Sequence, residues 1–411
     1  MPLALLIGTL DTKGSELAFV REILRGEGID TVLVDVGSLG PPSVKPDITR
    51  DEVFSAANTT LDEVAHRSDR GFAVTKAAEG VAVLALTCGY DGILAIGGSA
   101  GTTIGTSAMR VAPFGTPKVM VSTLASGQTR PYLQGSDIVL IPTVADLEGL
   151  NRITRTVLRN AAYALIGMLR DGPVTTTVEE KRPVVAATMF GVTTPCVHHA
   201  REVLELAGCE VIVFHATGVG GQAMESLIRD GRIDAVLDLT TTEIADELVG
   251  GVLSAGPDRL EAAGRAGIPQ VVSLGALDMV NFGPRATVPE RFQRRLFHVH
   301  NPNVTLMRTT AEECAAIGRT IAEKLNTAQG PVDILIPRGG VSALDAPGGP
   351  FASAEADEAL FRSIEENLDA SRPGVRLSFT DFHINDPEFA EQAAARVLEM
   401  LETKRSPRRT G

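Results

Sequence analysis

The chain has 411 residues, 44% hydrophobic and 22% charged, with 4% aromatic residues and no tryptophan. That length suits two or three domains with cores filled by small aliphatic side chains. A formal net charge of −13 argues against broad nucleic-acid binding, which draws its affinity from Lys and Arg neutralising phosphates.

In chain order, short apolar runs at 3–8, 31–36, 92–96, 118–122 and 138–141 alternate with helical patterns at 15–27, 71–87 and 101–110, and a long helix follows around 149–170. Such alternation predicts βαβ units and a parallel sheet. The polar stretch Asp171–Pro183 interrupts it and reads as a linker. Strands are then expected near 184–188, 210–215, 234–238, 269–273, 304–307 and 332–336. Helices are expected near 196–207, 220–230, 243–253, 257–265, 310–325, 354–369 and 386–402. The fold class is therefore α/β: two Rossmann-like domains, 1–180 and 181–403, with mainly parallel sheets and an interdomain cleft. A basic tail, 404–411, reads as solvated. No internal sequence period is found, so the second domain does not read as a repeat of the first.

Cys88, Cys196, Cys209 and Cys314 lie far apart without CxxC spacing, so buried thiols are expected and no metal site or disulfide framework. No basic region with a cleavage site precedes the first strand pattern, and no apolar run reaches the ~18 residues that span a membrane. The expectation is a cytoplasmic protein without membrane or nucleic-acid partners.

Chemistry concentrates in loops that follow strands. Gly8-Thr9-Leu-Asp11-Thr12-Lys13 offers hydroxyls and a cation for phosphate, and Asp11 for Mg²⁺ or a ribose hydroxyl. Gly97-Gly98-Ser99-Ala-Gly101-Thr102-Thr103 combines glycines with three hydroxyls at the head of a helix, where an anion is favoured. Ser122–Gly127 adds Ser126 to the same sheet edge. Each loop also reads as a helix cap or a packing turn. Asp35 ends a strand as an acidic residue does in a Rossmann fold, but GxGxxG is missing, which disfavours an ordinary NAD fold. In the second domain, Thr193, Thr194, Gly220 and Thr241 lie in polar loops suited to an anion or polyol. The long Gly/Pro segment Arg338-Gly339-Gly340 to Phe351 reads as a loop closing over the cleft, with Arg338 either anchoring an anion or pairing with Asp345. His383, in His383-Ile-Asn-Asp-Pro387, is a candidate base.

Several segments together carry a family resemblance: Ile7-Gly-Thr-Leu-Asp-Thr-Lys-Gly14, Ala186–Cys196, Gly275-Ala-Leu-Asp-Met-Val-Asn-Phe-Gly283, Gly340–Phe351 and His383–Pro387. Over about residues 3–402 the chain resembles uncharacterised bacterial and fungal proteins related to the N-terminal ATP-binding region of a tomato inhibitor of tomato mosaic virus RNA replication. The resemblance implies a two-domain α/β fold, a homodimer, and ATP held by the first domain through Gly8, Thr9, Asp11, Thr12 and the 97–103 loop. Here Ser99 and Ala100 interrupt a loop that the family makes richer in glycine. It supplies no reaction, and the further C-terminal domain of the plant protein is not expected here.

The leading expectation is a nucleotide-binding protein, with ATP and Mg²⁺ as ligands and a second small anionic ligand in the cleft. The alternative is an ATP-dependent or hydrolytic enzyme acting on a small carboxylate or sugar-like metabolite, with Arg338 anchoring the anion, Asp11 a metal, and His300 or His383 as base. A sensor locked by ATP without turnover, and a cofactor-free hydrolase or isomerase, stay open beside these.

Overall fold

The computed structural model describes residues 1–170 and 182–405. Most of the expected linker, the expected 180/181 boundary and the last six residues of the basic tail lie outside the described residues. The chain divides into two compact units, Met1–Thr177 and Val178–Gly411.

The first unit runs β1 (Leu3–Gly8), α1 (Leu10–Gly26), β2 (Asp30–Asp35), α2 (Arg50–Ala56), α3 (Leu61–Arg67), α4 (Arg70–Thr87), β3 (Gly92–Gly97), α5 (Ser99–Val111), β4 (Lys118–Ser122), α6 (Arg130–Leu133), β5 (Val139–Pro142) and α7 (Arg152–Arg170). Its five strands are parallel in the order β2-β1-β3-β4-β5. Alternation along β1 explains why this strand is central: Ala4 and Leu6 pack with α1 and α7, whereas Leu5 and Ile7 pack with α2, α4 and α5. A strand buried on both faces has to be apolar throughout.

The second unit runs β6 (Val184–Met189), α8 (Thr194–Leu206), β7 (Glu210–His215), α9 (Val219–Arg229), β8 (Ala235–Thr240), α10 (Thr242–Val249), α11 (Ala262–Ala266), β9 (Gln270–Gly275), β10 (Met279–Phe282), β11 (Phe297–Asn301), β12 (Val304–Arg308), α12 (Ala311–Asn326), β13 (Val332–Pro337), α13 (Ala354–Asn367), β14 (Val375–Thr380) and α14 (Pro387–Arg405). Six parallel strands follow the order β14-β13-β9-β8-β6-β7. Helices α8 and α14 cover one face; α9 to α13 cover the other. Counted from β6, the first five strands of this sheet follow the same winding as the first unit. The shared winding leaves no period in the sequence, because topology constrains burial rather than residue identity.

Several boundaries differ from expectation. Helix α1 begins at Leu10 rather than 15 with a turn that the Asp35 carboxylate holds by accepting the Leu10 N–H at 3.0 Å, and it kinks at Lys13 (φ −125°, ψ 15°) before the continuous helix. Helix α5 starts at Ser99 rather than 101. Helices α2 and α3 were not expected; each is seven residues long, too short for a periodic signal, although Thr49/Glu52 forms a capping box and Thr60 caps α3. Helix α10 stops at Val249, where Gly250 takes a φ of 99°. Strands β10 and β11 join the expected β12 in a small antiparallel sheet, β10-β12-β11.

Two helical glycines generate a test. A Cβ on Gly80 of α4 would lie 1.9 Å from the Val53 carbonyl oxygen of α2, whereas one on Gly167 of α7 would meet nothing within 4 Å. Gly80→Ala is expected to lower stability by about 1–3 kcal/mol or more through overpacking, and Gly167→Ala to raise it by roughly 0.5–1 kcal/mol. Chemical denaturation of the two variants checks both signs.

Candidate functional site

In a sheet wound 2-1-3-4-5, ligands bind beyond the carboxyl ends of the strands where the winding reverses. In the first unit this point lies between β1 and β3, whose following helices cover opposite faces. Ile7 is level with Ala95 and Gly97 with Ser122. The register therefore sets Thr9, the Gly97–Gly98 turn and Thr123 side by side along the edge.

The two helix heads at this edge differ. At α1, Asp35 accepts the N–H groups of Leu10 and Gly37 and pairs with Arg50 at 2.7 Å. Asp11 stands in the first turn and accepts from Leu39 and Gly40, each at 3.2 Å. Its other oxygen is buried without a partner, beside Gly37. Lys13 donates to the Leu147 carbonyl, and the Thr9 and Thr12 hydroxyls bond each other at 2.7 Å. Apart from that one Asp11 oxygen, the groups expected to hold phosphate and metal on this side have partners within the fold. At α5, Gly98 caps the helix without a side-chain bond, and no carboxylate lies in the first turn.

The glycines divide in the same way. A Cβ on Gly8 would crowd Leu17 at 2.7 Å, and one on Gly97 would strike the Gly101 Cα at 2.5 Å, so both serve close packing. On Gly98 a Cβ would meet only the Thr123 hydroxyl, at 3.6 Å. Its missing side chain leaves space at the α5 head. Ser99 is exposed there, as is Ser126 farther along the edge. Thr102 and Thr103 do not serve as expected donors, because their hydroxyls bond the carbonyls of Gly98 and Ser99 at 2.7 and 3.0 Å. Thr102 also bonds Ser122 at 2.6 Å. Thr123, in the Ser122–Gly127 loop, is set beside Gly98 by the β3–β4 register.

The matching reversal in the second unit, between β6 and β8, is filled from within. Thr193 bonds the Thr240 hydroxyl at 2.7 Å, Thr194 bonds the Phe190 carbonyl and Thr241 the Ser273 carbonyl. Glu243 accepts the N–H groups of Gly218 and Gly221 at the head of α9, and Asn385 accepts from Cys196 in the first turn of α8. Gly220 packs α9 against β7: a Cβ would lie 2.0 Å from the His215 carbonyl oxygen. Behind these turns the fully buried Arg259 pairs with Asp238 and Glu243 and lies 3.5 Å from Glu225.

The 338–351 segment is a fixed part of this unit, not a swinging lid. Val341, Ser342, Asp345 and Phe351 are buried, and main-chain bonds tie Gly339 to Phe382, Gly340 to Ile384 and Ala343 to Val192. The glycines are needed for close approach at Gly339 and for a φ of 126° at Gly340. Arg338 is exposed over the Phe379 ring, 4.4 Å from its centre, and Asp345 pairs with Arg308 instead. His383 Nδ1 accepts from the Asn385 N–H at 3.0 Å, so Nε2 carries the proton and donates to the Ser342 carbonyl at 2.8 Å. With both nitrogens engaged, His383 presents no free base.

A family model for the N-terminal domain of an uncharacterised protein family, UPF0261, matches residues 2–173, and the model for its C-terminal domain matches residues 182–401. The chain belongs to the UPF0261 family. It is 48% identical to a UPF0261 protein of Clostridium tetani over 97% of this chain and 98% of that one. It is 49% identical to a UPF0261 protein of Mesorhizobium japonicum over 95% of this chain and 97% of that one. It is 40% identical to the tomato ToMV resistance protein Tm-1(GCR237) over 97% of this chain and 56% of the plant protein.

Acid clusters in the second half of this UPF0261 chain escaped sequence reasoning, since their members are far apart in the chain. Arg308 lies among Asp278, Asp345 and Asp357; Ser342 donates to Asp278, whose other oxygen is buried without a partner. Burial pushes the Asp278 carboxyl up to about 6, and burial with neighbouring carboxylates raises Asp345. Nearby, Asn281 donates from its amide and main chain to Asp246, whose burial raises that carboxyl to about 7. An acid with a raised folded pKa binds its proton more tightly when folded, so its contribution to stability is lost as pH rises from about 4 towards about 7. For Asp246→Asn, the melting temperature relative to the parent is therefore expected to climb by several degrees between pH 4.5 and 8. Scanning fluorimetry across that range checks the direction.

Proposed function

We propose that the first unit binds ATP, with the phosphates against the main chain at the head of α5 and the crevice between β1 and β3 holding the rest. The observation that carries this reading is Gly98, whose missing side chain leaves open space at an uncapped helix head on the winding reversal. Free N–H groups and the helix dipole favour an anion there. The family resemblance supports the same ligand. One Asp11 oxygen already accepts from Leu39 and Gly40, so Mg²⁺ would arrive with the triphosphate and be held mainly by phosphate and water.

The reading is a binding module rather than a hydrolase. Asp11, Lys13, Asp35 and Arg50 all have partners within the fold, which supports recognition without turnover. A second anionic ligand in the other unit gains no such support, because Asn385 and Glu243 already occupy the helix heads there. The resemblance also implies a homodimer, which light scattering on the purified chain measures.

Titration calorimetry tests the reading. ATP is expected to bind with micromolar-range affinity and to raise the melting temperature, as any ligand of the folded state does. Gly98→Val should weaken binding more than tenfold while melting within a few degrees of the parent, because its side chain enters open space. No heat and no stabilisation at millimolar ATP, with or without Mg²⁺, would overturn the proposal. Unchanged affinity in Gly98→Val would place the nucleotide elsewhere.

A further inference from the structure

The histidines His298 and His300 lie on β11, an edge strand of the small antiparallel sheet. Val299 pairs with Thr305 and Asn301 with Val304, which leaves His300 as the extra residue of a bulge. A bulge bends its strand and re-aims the side chain it carries. Here it leaves the two imidazole rings 6.5 Å apart, centre to centre. His298 is half-buried with its ring against Phe351 at 6.3 Å in an edge-on contact, and His300 is exposed. Among the described residues neither ring has a hydrogen-bond partner, in contrast to His66, His199 and His383, each held by one.

We propose that His298 and His300 chelate a divalent transition-metal ion of the zinc or nickel type. Neutral imidazole suits these ions, and Zn–N distances of about 2.0–2.1 Å set the ring centres of a tetrahedral pair roughly 5 Å apart. Rotation of the exposed His300 side chain closes that difference without moving the strand. The Phe351 ring limits the other imidazole, so part of the ordering is complete before the ion arrives. No third histidine, cysteine or carboxylate joins the pair among the described residues. The remaining coordination positions fall to water or to an incoming anionic ligand, which makes this an open, exchangeable site.

The test is titration calorimetry of the full-length, tag-free protein with ZnCl₂ and with NiCl₂ in a non-coordinating buffer at pH 7.5. One ion per chain is expected, with a gain in melting temperature on saturation. His298→Gln and His300→Gln should each weaken binding at least tenfold, because one imidazole alone cannot chelate. The control His198→Gln should bind as the parent does. His300 is exposed, so its variant reports on the ion even if His298→Gln perturbs the contact with Phe351. Absence of binding to the parent at hundred-micromolar metal overturns the proposal, as does a double variant that keeps the stoichiometry and the thermal gain.

Discussion

Each helix that follows a strand in a parallel sheet delivers unpaired main-chain N–H groups to the same sheet edge, and those groups must find acceptors. This requirement organises both units. In the second, Asn385 answers for α8 and Glu243 for α9. In the first, Asp35 answers for α1. Among the described residues, no side chain plays that part at the head of α5. A site of this kind is recognised less by which polar residues are present than by which donor groups the fold leaves unanswered.

Filling helix heads with carboxylates places negative charge in the interior, and two guanidiniums offset it. Arg259 is enclosed by Asp238, Glu243 and Glu225, and Arg308 by Asp278, Asp345 and Asp357. Buried ion pairs gain little net stability over well-packed apolar side chains, but loss of one partner is severe. Their effect here is to fix register between distant segments. Arg259 joins β8, α10 and α9, and Arg308 joins β12 to the 341–351 segment and α13. Around Arg308, burial first and neighbouring carboxylates second hold the Asp345 and Asp278 carboxyls above their ordinary range.

The architecture was legible because β1 and β3 are almost wholly aliphatic and flanked by longer amphipathic runs. The 97–103 loop was legible as a glycine-rich turn after a strand. What remained hidden was the use of each side chain. Thr102, Thr193 and Thr241 look like ligand donors in sequence, yet each bonds the fold, because a hydroxyl one turn into a helix or facing a neighbouring strand finds a nearby acceptor first. Arg338 stood beside two glycines and suggested mobility; those glycines instead meet close-packed backbone. In sequence Asp345 stands 7 residues from Arg338, whereas its partner Arg308 lies 37 residues away. Thr123 lies in the Ser122–Gly127 loop, but only the register shows that it neighbours Gly98.

The winding of the first unit also bears on when its crevice comes into being. Strands β1 and β3 meet across a long intervening chain: Leu3 bonds Asp91, 88 residues away. Bringing such distant segments together carries a loop-closure penalty before any contact offsets it. Local pieces such as α4 with α5 can form beforehand, but the groove between Thr9 and Gly98 does not exist until β1 docks beside β3. A ligand seated there would hold a junction completed late on the folding route. Its influence would fall chiefly on how slowly the native chain comes apart rather than on how quickly it assembles.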